Sequence, residues 1–172
     1  YISLNTASGI DCNDSDQLVN TDCPSVTYYV DSSSTGSMLL SGRFRNIQLV
    51  GESWDMAFTS LQIALATAVA GDTIKVAQGT YYPGSTRDSS FIIPSDIVLL
   101  GGYPMGGGTE EDRNWNCYQT ILSGDIGTPD DNMDNSYHVV ITKNVSAATF
   151  IEGFIIQGGN SSDLHPDNAG GG

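Results

Sequence analysis

The sequence predicts an all-β fold, a right-handed parallel β-helix (solenoid) with an N-terminal amphipathic capping helix. Three observations predict it. The chain of 172 residues contains 20 glycines, which is typical of a turn-rich β protein. A single segment has helical periodicity. After it, short apolar runs centred on Ile74, Val98 and Ile121 recur at a spacing typical of stacked parallel strands.

The first part of the chain has little periodicity. Residues 1–25 are polar and irregular, and Pro24 lies near their end. Cys12 and Cys23 in this segment predict a disulfide, which would stabilise the fold by about 3 kcal/mol. Two free thiols are the alternative that the sequence leaves open. Residues 26–30 follow as a strand of high β-propensity.

The predicted helix follows residue 55. Ser53 or Asp55 can cap its start, and Gly71 follows its end. Its apolar residues at helical spacing are Ala57, Phe58, Leu61, Ala64, Leu65 and Ala68. We expect this amphipathic helix to cover the open end of the first coil, where strand edges and apolar side chains would otherwise be exposed.

The remaining segments are short strands separated by turn residues. Gly, Pro, Asn or Asp bounds each run, and the runs are residues 73–77, 91–93, 97–100, 120–122, 137–142 and 148–157. Residues 97–100 are apolar throughout, as a strand inside a closed parallel coil can be. A hairpin sandwich would show closer turns and a cleaner alternation of polar and apolar residues.

Composition limits the partners of the chain. Six Lys and Arg against 20 Asp and Glu give a formal charge of −14, which disfavours nucleic acid and anionic lipid surfaces. No run approaches the roughly 18 apolar residues of a membrane span, so we expect no membrane insertion. Abundant Gly with scarce Lys and Arg favours a secreted or cell-surface, extracellular protein.

Several motifs together resemble a known group of proteins. They are Trp54 with Ala57 and Phe58, "GDTIKVAQGTYYP" at 71–83, "LLGGYP" at 99–104, "DRNW" at 112–115, "TILSGDIG" at 120–127, "DNSYHVV" at 134–140, "IEGFIIQGGN" at 151–160 and "GGG" at 170–172. The chain resembles the N-terminal cap and first coils of secreted bacterial right-handed parallel β-helix domains. These belong to large adhesin-like surface proteins, often with a C-terminal sorting signal.

The irregular first segment, which lies outside the resemblance, and the motifs that follow it together predict a domain organisation. Residues 1–25 would be an irregular, disulfide-stapled N-terminal segment. Residues 26–172 would be the N-terminal cap and first coils of the β-helix, continuing beyond residue 172. We therefore expect the chain to be a fragment of a longer protein.

One acidic loop is a candidate metal site. Residues 125–135 place many oxygen donors between two predicted strands, and calcium prefers such donors. The first ligands would be Asp125, Asp130, Asp131 and Asp134. The segment departs from the EF-hand pattern, and a solvated acidic loop without metal is the alternative.

Other candidate sites are short motifs. Asn13, Asn144 and Asn160 each begin a glycosylation sequon, which would lie at the surface of a secreted eukaryotic protein and carries little weight in a bacterial one. Arg113 with Trp115 resembles a turn anchored by its aromatic residue, and a contact with an anion or a sugar is an alternative for this pair. The sequence predicts no catalytic residue.

Two functions from different classes remain. The sequence favours a non-catalytic extracellular β-helix scaffold, a surface adhesin or a component of an extracellular assembly. Its partners would be further coils of the same chain or another copy at the open C-terminal end, surface glycans or other extracellular proteins. The alternative is the N-terminal part of a carbohydrate-active β-helix enzyme, a polysaccharide lyase or hydrolase, whose catalytic coils lie beyond residue 172.

Overall fold

The computed structural model describes residues 25–35 and 50–161. The strands in these ranges are β1 (Thr27–Val30), β2 (Thr73–Ala77), β3 (Gly79–Tyr81), β4 (Phe91–Ile93), β5 (Val98–Tyr103), β6 (Thr120–Ser123), β7 (Val140–Thr142), β8 (Phe150–Glu152) and β9 (Phe154–Gln157). A 3-10 turn spans Trp54–Met56, and the helix α1 spans Leu61–Thr67. The strands are short because turn residues interrupt each apolar run.

The strands form three parallel sheets. The largest has the order β1-β2-β5-β8, the second has the order β3-β6-β9, and the third pairs β4 with β7. Every pairing between these strands is parallel. The last strand along the chain in each sheet, β8, β9 or β7, therefore lies at one end of that sheet.

The core lies between the sheets and the helix. In β2 the side chains of Ile74 and Val76 are fully buried, while Lys75 between them is not. Ile74 is in register with Leu99 of β5, and Leu99 is in register with Ile151 of β8. This row of aligned apolar side chains stabilises the parallel stacking, at roughly 1.5–3 kcal/mol for each fully buried side chain.

The predicted all-β β-helix solenoid is wrong. The described residues instead form a small mixed arrangement of three separate parallel sheets, an α-helix and a 3-10 turn, without a closed solenoid among them. The strands do not pair at the constant interval that the sequence suggested. Val98 is in register with Thr73 on one side and with Phe150 on the other, whereas Ile121 belongs to another sheet. The connecting segments differ in length, so spacing along the chain did not determine pairing.

The helix also differs from the prediction. It begins at Leu61 rather than near Asp55, because Phe58 forms a parallel bridge with Val30 in extended backbone. It packs against β1, β2 and β4, and its buried face joins the same core as the strands. The helix is thus a core element of a mixed fold. Within the described ranges no helix has the length and apolar character needed to span a bilayer.

Candidate functional site

The loop between β6 and β7 is closed by backbone hydrogen bonds. The Ser136 N–H donates to the Gly124 carbonyl at 2.8 Å, and the Gly124 N–H donates to the Gln157 carbonyl at 2.9 Å. The Asn160 N–H donates to the Ser136 carbonyl at 2.8 Å. Residues 124–136, called the acidic loop below, are therefore held at both ends against the end of β9.

Asp125 and Asp134 accept hydrogen bonds from one turn of the acidic loop. The Asp131 N–H donates to the Thr128 carbonyl at 3.0 Å and closes this turn. Inside it, the Thr128 N–H donates to Asp134 Oδ2 at 2.7 Å, and the Asp130 N–H donates to Asp125 Oδ2 at 3.3 Å. The turn thus brings both carboxylates to its backbone amides.

The second oxygen of each carboxylate is buried without a partner. The same is true of Asn135 Oδ1 and Ser136 Oγ, whose residues are 3% and 0% exposed. Within residues 25–35 and 50–161, these four oxygens are the only buried side-chain polar atoms without a hydrogen-bond partner. Buried polar atoms are nearly always satisfied in native proteins, so the acidic loop is the candidate site for a polar ligand.

The four predicted calcium ligands separate into two pairs. Asp125 and Asp134 are half-buried and lie on the same turn, whereas Asp130 and Asp131 are exposed. The Asp131 carboxylate accepts a hydrogen bond from the Met133 N–H at 3.0 Å. No group of three or more Asp, Glu, His or Cys side chains converges as a metal site in the part of the chain that the structure describes. A cation here would need the neutral oxygens as ligands too.

Arg87 holds the C-terminal end of the acidic loop. Its Nε donates to the Asn135 carbonyl at 2.9 Å, and its Nη2 donates to the Asn160 carbonyl at 3.1 Å. The guanidinium carbon lies 4.2 Å from the centroid of the Tyr137 ring, a cation–π distance. These contacts fix the backbone on which Asn135 and Ser136 lie.

A second candidate surface surrounds Trp115. Its side chain is 47% exposed, and it borders an open cleft of about 350 Å³. The other residues of the cleft are Gln119, Thr120, Glu152, Gly153, Phe154 and Ile155. An exposed indole beside amide and carboxylate groups can stack on the apolar face of a sugar.

Arg113 links this cleft to the four-stranded sheet. Its Nη1 donates to Glu152 Oε2 at 2.8 Å, and its Nε donates to the Gly101 carbonyl at 2.8 Å. The guanidinium carbon lies 5.2 Å from the centroid of the Trp115 ring. Arg113 and Trp115 therefore lie side by side, and a contact of this pair with an anion or a sugar stays a prediction.

Charged groups beside the cleft bind each other. Lys75 forms an ion pair with Glu110, and the Tyr103 hydroxyl donates to both Glu110 oxygens at 2.9 and 3.0 Å. The hydrogen bond from Lys75 is the main reason that the pKa of Glu110 is lowered. Burial, followed by the hydrogen bond to Glu110, raises the pKa of Tyr103. Lys75 is therefore part of a structural network.

Large apolar side chains are exposed along the last strands. Phe150 of β8 is 50% exposed, and Ile155 and Ile156 of β9 are 38% and 47% exposed. Among the described strands, β8 pairs only with β5, and β9 pairs only with β6. We call β8 and β9 together the strand edge. It adjoins the cleft, because Ile155 belongs to both.

The remaining predicted sites are dispersed. Cys12, Cys23 and Asn13 lie outside the described residues. Asn144 is exposed and has a φ of +51°. Asn160 is half-buried, and its side-chain amide donates to the Asn132 carbonyl at 2.5 Å, so a glycan on that nitrogen would disturb the acidic loop.

Comparisons of the chain with protein families, with curated proteins and with solved structures found no match. The resemblance to large secreted surface proteins therefore stays a prediction.

Proposed function

We propose that this chain is a non-catalytic extracellular scaffold that works by presenting a surface, as an adhesin or as a component of an extracellular assembly. The observation that carries the proposal is the strand edge. Three large apolar side chains, Phe150, Ile155 and Ile156, are exposed on two neighbouring strands that each have one described partner strand.

An edge of this kind favours the addition of another strand. Backbone N–H and C=O groups along an unpaired side attract a further strand, and apolar side chains strengthen its packing. The occupant would be further strands of the same chain or another copy. The formal charge of −14 disfavours crowding of copies at low salt, so we expect assembly to strengthen as salt screens the repulsion.

The experiment is a concentration series of the 172-residue chain by analytical ultracentrifugation at physiological and high salt. Self-association should be lost in Ile156→Lys, which places a charge on the strand edge. Ile63→Lys is the matched control, because Ile63 is 52% exposed on α1, away from that edge. A chain that stays monomeric up to about 1 mM, which limits the association free energy to about 4 kcal/mol, would contradict assembly from copies.

The other possibility, that further strands of the same chain cover the strand edge, is tested on the native polypeptide. Its intact mass, with peptide sequencing beyond Gly172, determines whether more strands follow. A long continuation in which β9 amides become protected from hydrogen exchange would support closure by the same chain. A terminus near residue 172 combined with a strictly monomeric chain would contradict the scaffold proposal in both forms.

A second candidate function is carbohydrate binding, which the cleft beside Trp115 favours. The chain has two tryptophans, and Trp54 packs against the Tyr29 and Tyr103 rings at 4.8 and 5.4 Å. Titration of oligosaccharides should therefore change the fluorescence of Trp115 alone. The change should disappear in Trp115→Phe and remain in Trp54→Phe. Equal changes in both variants, or no change with neutral and acidic oligosaccharides, would contradict binding in this cleft.

A further inference from the structure

The buried oxygens that lack partners are concentrated in one loop. Asp125 Oδ1, Asp134 Oδ1, Asn135 Oδ1 and Ser136 Oγ all lie within the acidic loop. Elsewhere in the described structure buried carboxylates are satisfied: Asp31, for example, accepts hydrogen bonds from Ser33 and from the Gly106 N–H. The absence of partners is thus a property of this loop rather than of buried acids in general.

Backbone contacts hold the residues that carry these oxygens. One oxygen of each carboxylate accepts a hydrogen bond from a backbone amide of the turn, and the other is buried without a partner. Gly127 lies directly against the Asp134 carboxylate, where a Cβ would overlap it. The backbone of Ser136 is held at both groups, by Gly124 and by Asn160, and the residue is 0% exposed.

We propose that the acidic loop binds one calcium ion through Asp125, Asp134, Asn135 and Ser136. Two carboxylates supply the charge, and an amide and a hydroxyl supply neutral oxygens. Calcium accepts six to eight oxygen ligands in irregular geometry, so waters or carbonyls complete the shell. All four atoms are oxygens, which disfavours zinc and copper, and magnesium demands a more regular octahedron than such a loop supplies.

This ligand set differs from the one that counting charges suggested. Asp130 and Asp131 are excluded because both are exposed, and the Asp131 carboxylate accepts a hydrogen bond from its own turn. Asn135 and Ser136 are included because they are buried and lack partners. Only two of the four ligands are carboxylates, which agrees with the absence of a group of three or more His, Cys, Asp or Glu side chains among the described residues.

Calcium here would also stabilise the end of β9. The acidic loop is joined to Gln157 and Asn160 by backbone hydrogen bonds, and Arg87 bridges Asn135 to Asn160. A rigid loop would therefore stabilise residues 157–160 at the end of β9. This consequence is independent of what covers the strand edge. An experiment can therefore contradict the calcium site without contradicting the scaffold function, and the reverse.

The experiment is calorimetric titration of the EDTA-treated chain with calcium chloride, and separately with magnesium chloride. We expect one calcium site with a Kd between about 10 µM and 1 mM, and at least tenfold weaker magnesium binding. Saturating calcium should raise Tm, by about 5–10 °C when calcium exceeds Kd a hundredfold. If the titration with calcium gives no heat of binding and Tm is unchanged, the proposal is overturned.

Two matched variants distinguish a calcium site with defined ligands from non-specific attraction of calcium to an acidic surface. Asp134→Asn and Asp131→Asn remove the same charge from the same loop. The first should weaken calcium binding at least about tenfold, and the second should change Kd by less than about twofold. Equal weakening in both would overturn the assignment of the ligands.

The Tm of Asp134→Asn, measured with and without calcium, also distinguishes a calcium ligand from a residue with only a structural role. In EDTA the variant should match or exceed the Tm of the parent chain, because it removes one of two half-buried negative charges on the same turn. In calcium it should have the lower Tm. A variant that is less stable in both buffers, with a crystal structure showing only waters at the four oxygens, would overturn the calcium site.

Discussion

Gly101 of β5 and Gly153, which joins β8 to β9, approach each other too closely for side chains. A Cβ built on Gly153 would lie 2.6 Å from the Gly101 carbonyl oxygen, and the φ of Gly153 is +83°. L-residues rarely adopt this φ, and backbone atoms cannot move aside as a flexible side chain can. The pair therefore determines how closely the strand edge lies against β5.

Gly153→Ala is expected to lower the free energy of unfolding by about 2–4 kcal/mol, because strain at positive φ adds to overlap with the backbone. Gly106 is the matched control: its φ is +79°, and nothing lies within 4 Å of a Cβ built there. Gly106→Ala should cost only about 1–2 kcal/mol. Urea denaturation measures both, and equal losses would show that the contact between the glycines is unimportant.

Asp72 connects the start of β1 to the chain after α1. It is 1% exposed, and its two oxygens accept hydrogen bonds from the Val26 and Val69 N–H groups at 2.8 and 2.9 Å. Asp72→Asn would turn an amide NH₂ toward one of these donors, so we expect a loss of about 1–3 kcal/mol in the free energy of unfolding. The exposed Asp55→Asn should change it by less than about 0.5 kcal/mol. Similar values for both variants would contradict the bridging role of Asp72.

The sequence predicted individual strands better than their arrangement. Residues 73–77 and 91–93 were predicted as strands and form β2 and β4, because β-branched and aromatic side chains favour extended backbone and turn residues bound them. The pairing of Val98 with Phe150 was not predicted, since it depends on the paths of the connecting loops. The all-β solenoid failed for that reason and because α1 shares the core.

Prediction from sequence had a similar limit for the candidate site in the acidic loop. Charge along the sequence gave equal weight to Asp125, Asp130, Asp131 and Asp134, whereas only Asp125 and Asp134 are half-buried in the structure. Loops lack the periodicity from which burial is inferred in strands and helices, so the burial of Asn135 and Ser136 had no sequence signal. The sequence shows only that Asn135 and Ser136 follow Asp134, and this adjacency does not indicate burial.

Tyr81 makes stability depend on alkaline pH. Its side chain is 4% exposed, and burial raises its pKa to about 12 from 10.0. The folded chain therefore keeps a proton that the unfolded chain releases above pH 10. The stability that this group contributes is fully present below about pH 10 and is lost as pH rises toward 12, by at most about 3 kcal/mol.

Urea midpoints between pH 8 and 12 test this pH dependence. Tyr81→Phe should lose less stability over that range than the parent chain, although it begins lower because the hydrogen bond from the Tyr81 hydroxyl to the Ala77 carbonyl is lost. Tyr82, which is 53% exposed, supplies the control variant Tyr82→Phe, with the pH dependence of the parent. Parallel curves for all three chains would contradict a raised pKa at Tyr81.

Arg113 holds the strand edge against β5 with donors that lysine cannot reproduce. Its side chain is 12% exposed, and it donates to the Gly101 carbonyl, to the Glu152 carboxylate and to the Glu152 carbonyl. Arg113→Lys keeps the charge but loses the planar fork, so we expect a loss of about 1–3 kcal/mol in the free energy of unfolding.

Measurements at high salt distinguish the hydrogen-bond geometry of Arg113 from simple charge attraction. Two of the three acceptors are backbone carbonyls, so most of the loss in Arg113→Lys should persist in about 1 M sodium chloride, where surface attraction is screened. Lys143 is exposed, and Lys143→Ala should have little effect at either salt concentration. If lysine at position 113 restores full stability at low salt, charge alone accounts for the role of Arg113 and the bonds to Gly101 and Glu152 carbonyls contribute little.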